Sequence, residues 1–179
     1  KVSLISTAAP WIKDYQLADI EPFTYTSRDG LKLHGYITLP PNYEEGTQIP
    51  FIVHPHGGPN ARDYWGYNPE VQFYATRGYG VIQMDYRGST GYGRKEMILA
   101  NHQMGKKMQE DKYDALMWAN EQGYVDMDNV CISGASYGGY AAMHAATKAP
   151  DLFKCIITYV GTFDLTSMDL RGLQWSDLG

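Results

Sequence analysis

The chain has only two cysteines and five histidines among 179 residues, and it contains no long hydrophobic run. No apolar stretch approaches the roughly 20 residues that a transmembrane helix needs, and the N-terminus has no signal-peptide pattern. A net charge of -5 disfavours nucleic acid and anionic membrane surfaces as partners. We therefore expect a soluble globular protein with no nucleic-acid or membrane partner, and the cytoplasm is favoured as its compartment.

The sequence also offers little for metal or nucleotide chemistry. His34 falls in a predicted strand and His102 in a predicted surface helix or loop, and neither has the paired ligands of a metal site. The glycines at 88, 91 and 93 resemble a phosphate loop, but no Gly-Lys-Ser/Thr and no acidic ribose partner accompany them. We expect no metal and no cofactor.

The two cysteines, Cys131 and Cys155, each fall in a predicted core strand. A small sulfur-bearing side chain in such a position is most often a buried free thiol, which is what we expect here. A metal site would need more ligands, and a disulfide between the two is possible but has no support in the sequence.

A nucleophile-elbow pattern stands near the centre of the chain, Gly134-Ala135-Ser136-Tyr137-Gly138, between a short apolar run and a predicted helix. In this context a strained turn lifts the serine above a sheet. The flanking glycines are needed because a side chain there would collide with a neighbouring strand or helix. We predict Ser136 as the nucleophile and the N–H of Tyr137 as an oxyanion donor at the helix start.

A second glycine-rich motif, His56-Gly57-Gly58-Pro59, follows an apolar strand. Hydrolases of this kind place their other oxyanion donor in such a loop, and we assign that role to the N–H of Gly58; an ordinary Gly-Pro turn is the alternative. His56 precedes the nucleophile, whereas the general base of this fold comes last in the chain. We expect His56 to shape the loop by hydrogen bonding, or to contact substrate. Tyr140 is a candidate lining residue of the acyl pocket, with core packing as the equal alternative.

Strands and helices alternate along the chain, which predicts a mainly parallel sheet with helices on both faces. Residues 1–20 are read as a lead-in linker with a short helix at 11–17, and residues 21–179 as the N-terminal portion of a catalytic domain. The first two strands form a hairpin around Arg28-Asp29-Gly30. In the longest helix, the spacing of Tyr113, Leu116, Met117 and Asn120 predicts the face that packs on the sheet. Strands are predicted at 23–27, 31–39, 49–54, 80–86, 129–133 and 154–160, and helices at 69–77, 94–101, 107–122 and 137–148.

Three motifs in fixed order resemble the prolyl oligopeptidase family of serine peptidases, above all its acylaminoacyl-peptidase and dipeptidyl-aminopeptidase branches. They are the loop at 56–59, the stretch Asp85-Tyr86-Arg87-Gly88-Ser89 with the glycines after it, and the elbow; the segment 23–36 is similar to the start of that family's catalytic domain. The resemblance covers about residues 21–165. It implies an α/β-hydrolase fold with a β-propeller domain limiting access, and cleavage of oligopeptides through an acyl-enzyme on Ser136. It also implies that Asp85 and Arg87 are structural, with substrate contact as the alternative.

The rest of a catalytic triad is not visible in this chain. The chain order of the triad is Ser, then Asp or Glu, then His. His144, the only later histidine, lies about 12 Å further along the same helix and points away from the serine, so it cannot be the base. Asp164 lies just past the carboxyl end of the next strand and could approach the site as the triad acid, but the family's acid comes one strand later. We expect the triad Asp and His beyond Gly179, the C-terminal part of the fold to be missing, and the chain alone to be inactive.

Two other interpretations stay open. An esterase or other acyl hydrolase of the same fold would carry the same elbow, because the elbow does not distinguish an amide from an ester. A catalytically inert fragment is the second: the strand 154–160, Lys154 to Val160, would become an apolar sheet edge. Such an edge predicts self-association or a complementing chain.

Overall fold

A computed structural model of the protein describes residues 9–164. Its strands are β1 (Ile20–Thr26), β2 (Lys32–Thr38), β3 (Ile49–Val53), β4 (Gly80–Asp85), β5 (Val125–Ala135) and β6 (Cys155–Tyr159). They form one sheet in the order β1-β2-β4-β3-β5-β6. β1 pairs antiparallel with β2 and β2 antiparallel with β4, whereas β4, β3, β5 and β6 run parallel. The predicted hairpin and the mainly parallel sheet are confirmed.

The helices are α1 (Pro69–Ala75), α2 (Arg94–Ile98), α3 (Lys107–Glu121) and α4 (Tyr137–Lys148), with 3₁₀ turns at Pro10–Asp14 and Pro150–Leu152. Their positions follow local signals. The side chain of Asn68 caps α1 by accepting from the N–H groups of Glu70 and Val71, and a proline occupies the first turn. Alanines, which favour helix most strongly, fill the middle of α4. In the part of the chain described, no helix has the length and apolar character to cross a membrane.

Helices cover both faces of the sheet, as predicted. Successive strand residues point to opposite faces, so Phe51 and Val53 of β3 join the main core under α3 and α4, while Ile52 packs with Val71 of α1. Several boundaries differ from the expectation by one to four residues. β5 begins at Val125 rather than at 129, because it pairs with β3 from Ile49 onward. The lead-in helix is a single 3₁₀ turn rather than a helix over 11–17.

The predicted packing face of α3 is confirmed in part. Leu116 is buried in the main core, and Tyr113 and Met117 are half-buried and pack against it, whereas Asn120 is only half-buried. The helix also buries alanines, which permit close approach to the sheet, and polar residues that find partners inside. Its buried residues are Met108, Gln109, Asp111, Lys112, Ala115, Leu116 and Ala119.

A buried ion pair connects the end of β4 to α3 and to the first hairpin. The Arg87 guanidinium donates to both carboxylate oxygens of Asp111, from Nε at 2.7 Å and from Nη2 at 2.6 Å. On its other side it donates to Asp29, in the hairpin turn, at 3.0 and 2.9 Å. The hydrogen bonds from Arg87 are the main reason that the pKa of Asp29 lies well below its usual value. This confirms the structural role expected of Arg87.

The expectation of free thiols was wrong, because Cys131 and Cys155 form a disulfide. The two residues are direct register partners on the neighbouring parallel strands β5 and β6, with their Cα atoms 4.7 Å apart. Cys155 is also exposed and Cys131 half-buried. The pairing depends on which strands become neighbours, and the sequence could not supply that. The bond closes a loop of the chain that contains the elbow and α4.

We expect the double substitution of Cys131 and Cys155 by serine to lower the free energy of unfolding by about 3 kcal/mol, since the bond closes a loop of 24 residues in the unfolded chain. Denaturant unfolding of the oxidised protein and of the variant measures the difference. A reducing agent should lower the stability of the parent protein and leave that of the double variant unchanged. Equal stability of both proteins under oxidising conditions would contradict the bond.

We expect Arg87→Met to lower the free energy of unfolding by about 3 to 5 kcal/mol, because it leaves the buried carboxylate of Asp111 without its counter-charge. Arg28→Met is the matched control. Arg28 pairs with Asp114 at 2.8 Å, but half of its side chain is exposed, so its loss should cost less than about 1 kcal/mol. If the two variants lost similar amounts of unfolding free energy, the buried pair would stabilise the fold no more than the exposed pair.

Candidate active site

Ser136 occupies a strained turn between the end of β5 and the start of α4. Its backbone has φ 55° and ψ −121°, a conformation that a residue with a side chain adopts only at a cost of about 1 to 3 kcal/mol. The Ser136 N–H donates to the Tyr159 carbonyl of β6 at 3.0 Å, and its carbonyl accepts the first helical hydrogen bond of α4, from Tyr140. The side chain lies exposed at the surface. The predicted elbow conformation is therefore present.

The glycines around the serine allow three backbone segments to meet. A Cβ on Gly134 would lie 2.6 Å from the carbonyl carbon of Gly138, and a Cβ on Gly138 would collide with the Pro55 carbonyl oxygen. The collision at Gly134 is with the helix, as predicted, whereas the collision at Gly138 is with the loop after β3 rather than with a strand or helix. Gly57 approaches Ser136 itself, since a Cβ there would lie 3.3 Å from the Cβ of Ser136. The glycine-rich loop is thus packed directly against the serine.

The two predicted oxyanion donors lie on these segments. Tyr137 is the first residue of α4, at the positive end of the helix dipole. Gly58 has φ 124°, a left-handed conformation that favours glycine. Within residues 9–164, neither of the two N–H groups donates to another group of the chain. Their oxyanion role stays a prediction. The sequence reasoning missed Gly57 as the loop residue in contact with Ser136.

His56 is held inside the loop by its own neighbours. Its ring nitrogens lie 2.6 Å from the Gly57 carbonyl oxygen and 2.9 Å from the Ser89 hydroxyl, and its ring stacks on Tyr86 with centroids 4.3 Å apart. Burial lowers the pKa of His56 to about 4, so the imidazole is neutral at physiological pH. These contacts account for His56 as a loop-shaping residue, and they give no support to the predicted contact with substrate.

The side chains of the two tyrosines after the nucleophile belong to the core. Tyr137 is buried against Tyr86, and Tyr140 lies between Tyr137 and His144 with ring centroids 5.4 and 5.8 Å away. Tyr140 is 9% exposed. Of the two alternatives left open for it, core packing describes its position, and a lining role in the acyl pocket has no support there.

A group of buried acids, which sequence reasoning did not identify as a unit, lies behind the loop. Asp85 accepts from the Asp63 N–H at 2.8 Å and from the Tyr92 hydroxyl at 2.5 Å, and its carboxylate is 3.8 Å from the His56 ring. These contacts confirm the structural role expected of Asp85. Burial raises the pKa of Asp85, and burial together with the Asp85 charge raises the pKa of Asp63 to about 7. No sequence pattern marks Asp63.

The described residues provide no base for Ser136. His144 packs beside Tyr140, in keeping with its predicted exclusion, and His54 contacts the Ser133 carbonyl oxygen at 2.9 Å. Asp164 lies exposed just after β6, and its role as the triad acid is untested. Between residues 9 and 164 no three His, Cys, Asp or Glu side chains are grouped so that they could hold a metal ion. The predicted triad partners beyond Gly179 therefore stay a prediction.

Known proteins share this arrangement. Residues 65–178 match the family model of the prolyl oligopeptidase family. Dipeptidyl aminopeptidase BIII of Pseudoxanthomonas mexicana is 37% identical over 168 residues, which cover 90% of this chain and 24% of that protein. Among solved structures, the acylaminoacyl peptidase of Pyrococcus horikoshii superposes with a TM-score of 0.80 at 28% identity, covering 89% of this chain and 26% of that one. A Mycobacterium tuberculosis puromycin-hydrolyzing peptidase gives 0.78 at 32% identity, covering 84% of this chain and 24% of that one.

The chain spans about a quarter of the length of the curated relatives it matches. Its mainly parallel sheet with helices on both faces is the α/β-hydrolase fold of the peptidases it superposes on. With a family match that extends over residues 65–178 and a relative 37% identical over 90% of its length, this chain belongs to the prolyl oligopeptidase family.

Proposed function

We propose that this chain carries the nucleophile and oxyanion hole of a serine peptidase that hydrolyses short peptides. The strained, exposed Ser136 at the start of α4, with Gly57 packed against it, is the observation that carries the proposal. A positive φ at a non-glycine residue persists only where the surrounding structure fixes it, and such strain concentrates at functional sites. Because the chain belongs to the prolyl oligopeptidase family, we assign the strained Ser136 the role of the nucleophile.

In the proposed reaction, Ser136 attacks the scissile carbonyl while a histidine outside the described residues takes its proton. The carbonyl carbon becomes bonded to the serine oxygen, the amine leaves with the proton, and water then hydrolyses the acyl-enzyme. The N–H groups of Gly58 and Tyr137 would stabilise the oxyanion, each donor contributing about 3 kcal/mol. Because residues 9–164 place no base beside Ser136, we expect the chain alone to be nearly inactive.

The proposed substrates are oligopeptides. The supporting relatives carry names that specify peptide-bond hydrolysis, among them a dipeptidyl aminopeptidase and an acylamino-acid-releasing enzyme. These names differ in the group that each protein removes, so they support the class of substrate and not the side-chain preference. An esterase of the same fold would use the same elbow and oxyanion hole, and the choice of substrate in the test below distinguishes the two.

We expect a fluorophosphonate probe to label Ser136 of the complete protein, and Ser136→Ala to abolish labelling. The same substitution should reduce hydrolysis of aminoacyl arylamides by about 10⁴-fold or more, because it removes the attacking oxygen. Intact-mass spectrometry before and after the probe measures the labelling and the chain length together.

Ser133→Ala is the matched control, since Ser133 lies three residues earlier in β5 and is buried. It should retain both labelling and hydrolysis. Hydrolysis of nitrophenyl esters with none of arylamides would replace the peptidase by an esterase. Labelling that survives in Ser136→Ala would assign the nucleophile elsewhere.

We also propose that β6 is an association edge when the 179 residues are made alone. β6 pairs only with β5 in the described sheet, and Ile157, Tyr159 and Val160 are exposed there. An apolar strand at the edge of a sheet offers the N–H and C=O groups of its outer side to a second chain. We expect concentration-dependent self-association in sedimentation velocity, weakened by Ile157→Lys. A monodisperse monomer at all concentrations would exclude association through this edge.

A further inference from the structure

A carboxyl group and an amide face each other behind the glycine-rich loop. Gln83, on β4, donates from Nε2 to Oδ1 of Asp63 at 2.8 Å. Asp63 belongs to the segment that follows the loop, and Gln83 is 2% exposed. Of the two oxygens left over, neither Asp63 Oδ2 nor Gln83 Oε1 has a hydrogen-bond partner within the described residues, although both are buried. Two buried acceptors without donors are costly, so the arrangement requires an explanation.

A single proton on the Asp63 carboxyl would give both oxygens a hydrogen-bond partner. A protonated carboxyl has an O–H to donate, and a primary amide presents one donor and one acceptor side by side. With the proton on Oδ2, Asp63 would donate to Gln83 Oε1 while it accepts from Gln83 Nε2, and the two groups would form a closed pair. We propose that Asp63 is a neutral carboxylic acid paired with Gln83 in this way, and that the pair positions the oxyanion loop.

The charges around the pair favour the neutral form. Asp85 lies on the same strand as Gln83 and accepts the backbone N–H of Asp63, so a second carboxylate already occupies this region. Arg62 is the opposing charge, but its guanidinium faces the rings of Tyr64 and Tyr92 at 5.2 and 4.9 Å. Burial and Asp85 together hold the pKa of Asp63 at about 7, against the weaker opposing influences of the hydrogen bond from Gln83 and of the Arg62 charge. Asp85 is faced on its other sides by Tyr92, His34 and His56.

The pair acts on the oxyanion loop through a short stretch of chain. Ala61 donates its N–H to the Pro59 carbonyl at 2.9 Å and accepts from the Thr90 N–H at 2.9 Å. A Cβ on Gly58 would lie 3.1 Å from the Cβ of Ala61, so the segment lies directly against the predicted donor. Asp63 is therefore a positioning residue: its hydrogen bonds to Gln83 attach this segment to β4. Its effect on catalysis rests on the proposed function, whereas its protonation does not.

The pH dependence follows from the raised pKa. Between about pH 4 and pH 7 the folded protein holds a proton on Asp63 that the unfolded chain has lost, so this group's contribution to stability falls as pH rises through that window. Above about pH 7 Asp63 ionises in the folded state, the hydrogen bond to Gln83 Oε1 is lost, and the negative charge faces Asp85. The segment that contains Asp63 is then held less firmly to β4.

Asp63→Asn tests the proposal sharply. The asparagine amide donates to Gln83 Oε1 and accepts from Gln83 Nε2, so it reproduces the protonated acid without a titratable proton. In the complete protein we expect the fluorophosphonate labelling rate of the parent to fall several-fold from about pH 7 to about pH 9, and that of Asp63→Asn to stay within about twofold. Asp63→Ala should lose labelling several-fold at every pH. Asp14→Asn, an exposed acid, is the control and should follow the parent.

The thermal unfolding midpoint provides a readout that does not depend on catalysis. It should fall by several degrees in the parent between about pH 5 and about pH 8, and this fall should be smaller in Asp63→Asn than in Asp14→Asn. The same difference is expected in the Ser136→Ala background, so failure of the proposed function would leave it intact. If Asp63→Asn behaved like Asp63→Ala at every pH, the site would need a charged carboxylate, and the proposal would be wrong.

Discussion

The close approach of three backbone segments at Ser136 is the constraint on which the rest of the described structure depends. β5, α4 and the loop 54–59 meet at glycines, where a side chain would fill the space of a neighbouring main chain. Their contact holds the serine at the carboxyl end of β5, exposed and beside Gly57. The strained backbone of Ser136 persists because these contacts, and the hydrogen bond to β6, leave it no relaxed alternative.

The turn at residues 85–89 supports this contact from behind. Tyr86 and Ser89 contact His56 of the loop, whereas Asp85 accepts from Asp63 in the segment after it. Arg87, in the same turn, points the other way and binds Asp111 of α3. One five-residue turn therefore connects the oxyanion loop to the helix layer. Because its polar groups are buried and paired, the loop is held by directional contacts rather than by apolar packing alone.

Much of this arrangement could be predicted from local sequence. Strand–helix alternation, the glycines of the elbow and the hairpin turn each reflect a short-range steric rule, and each places its element within a few residues of the observed one. The wrong predictions share a different origin. The exposed Cys155 and the disulfide both depend on which element becomes a neighbour. The predicted face of α3 followed its large apolar residues, which do pack on the core, but the prediction missed the buried alanines and the paired Asp111.

The sequence by itself determined the order of the elements, the position of the elbow turn at Ser136 and the glycines that this turn requires, because these depend on the backbone freedom of residues close in the chain. Only the tertiary structure decided that Gly57 contacts Ser136, that Cys131 lies beside Cys155, that Tyr140 packs in the core and that Asp63 faces Gln83. These contacts join residues on separate strands and loops. Their chemistry depends on distance and burial, and a linear pattern contains neither.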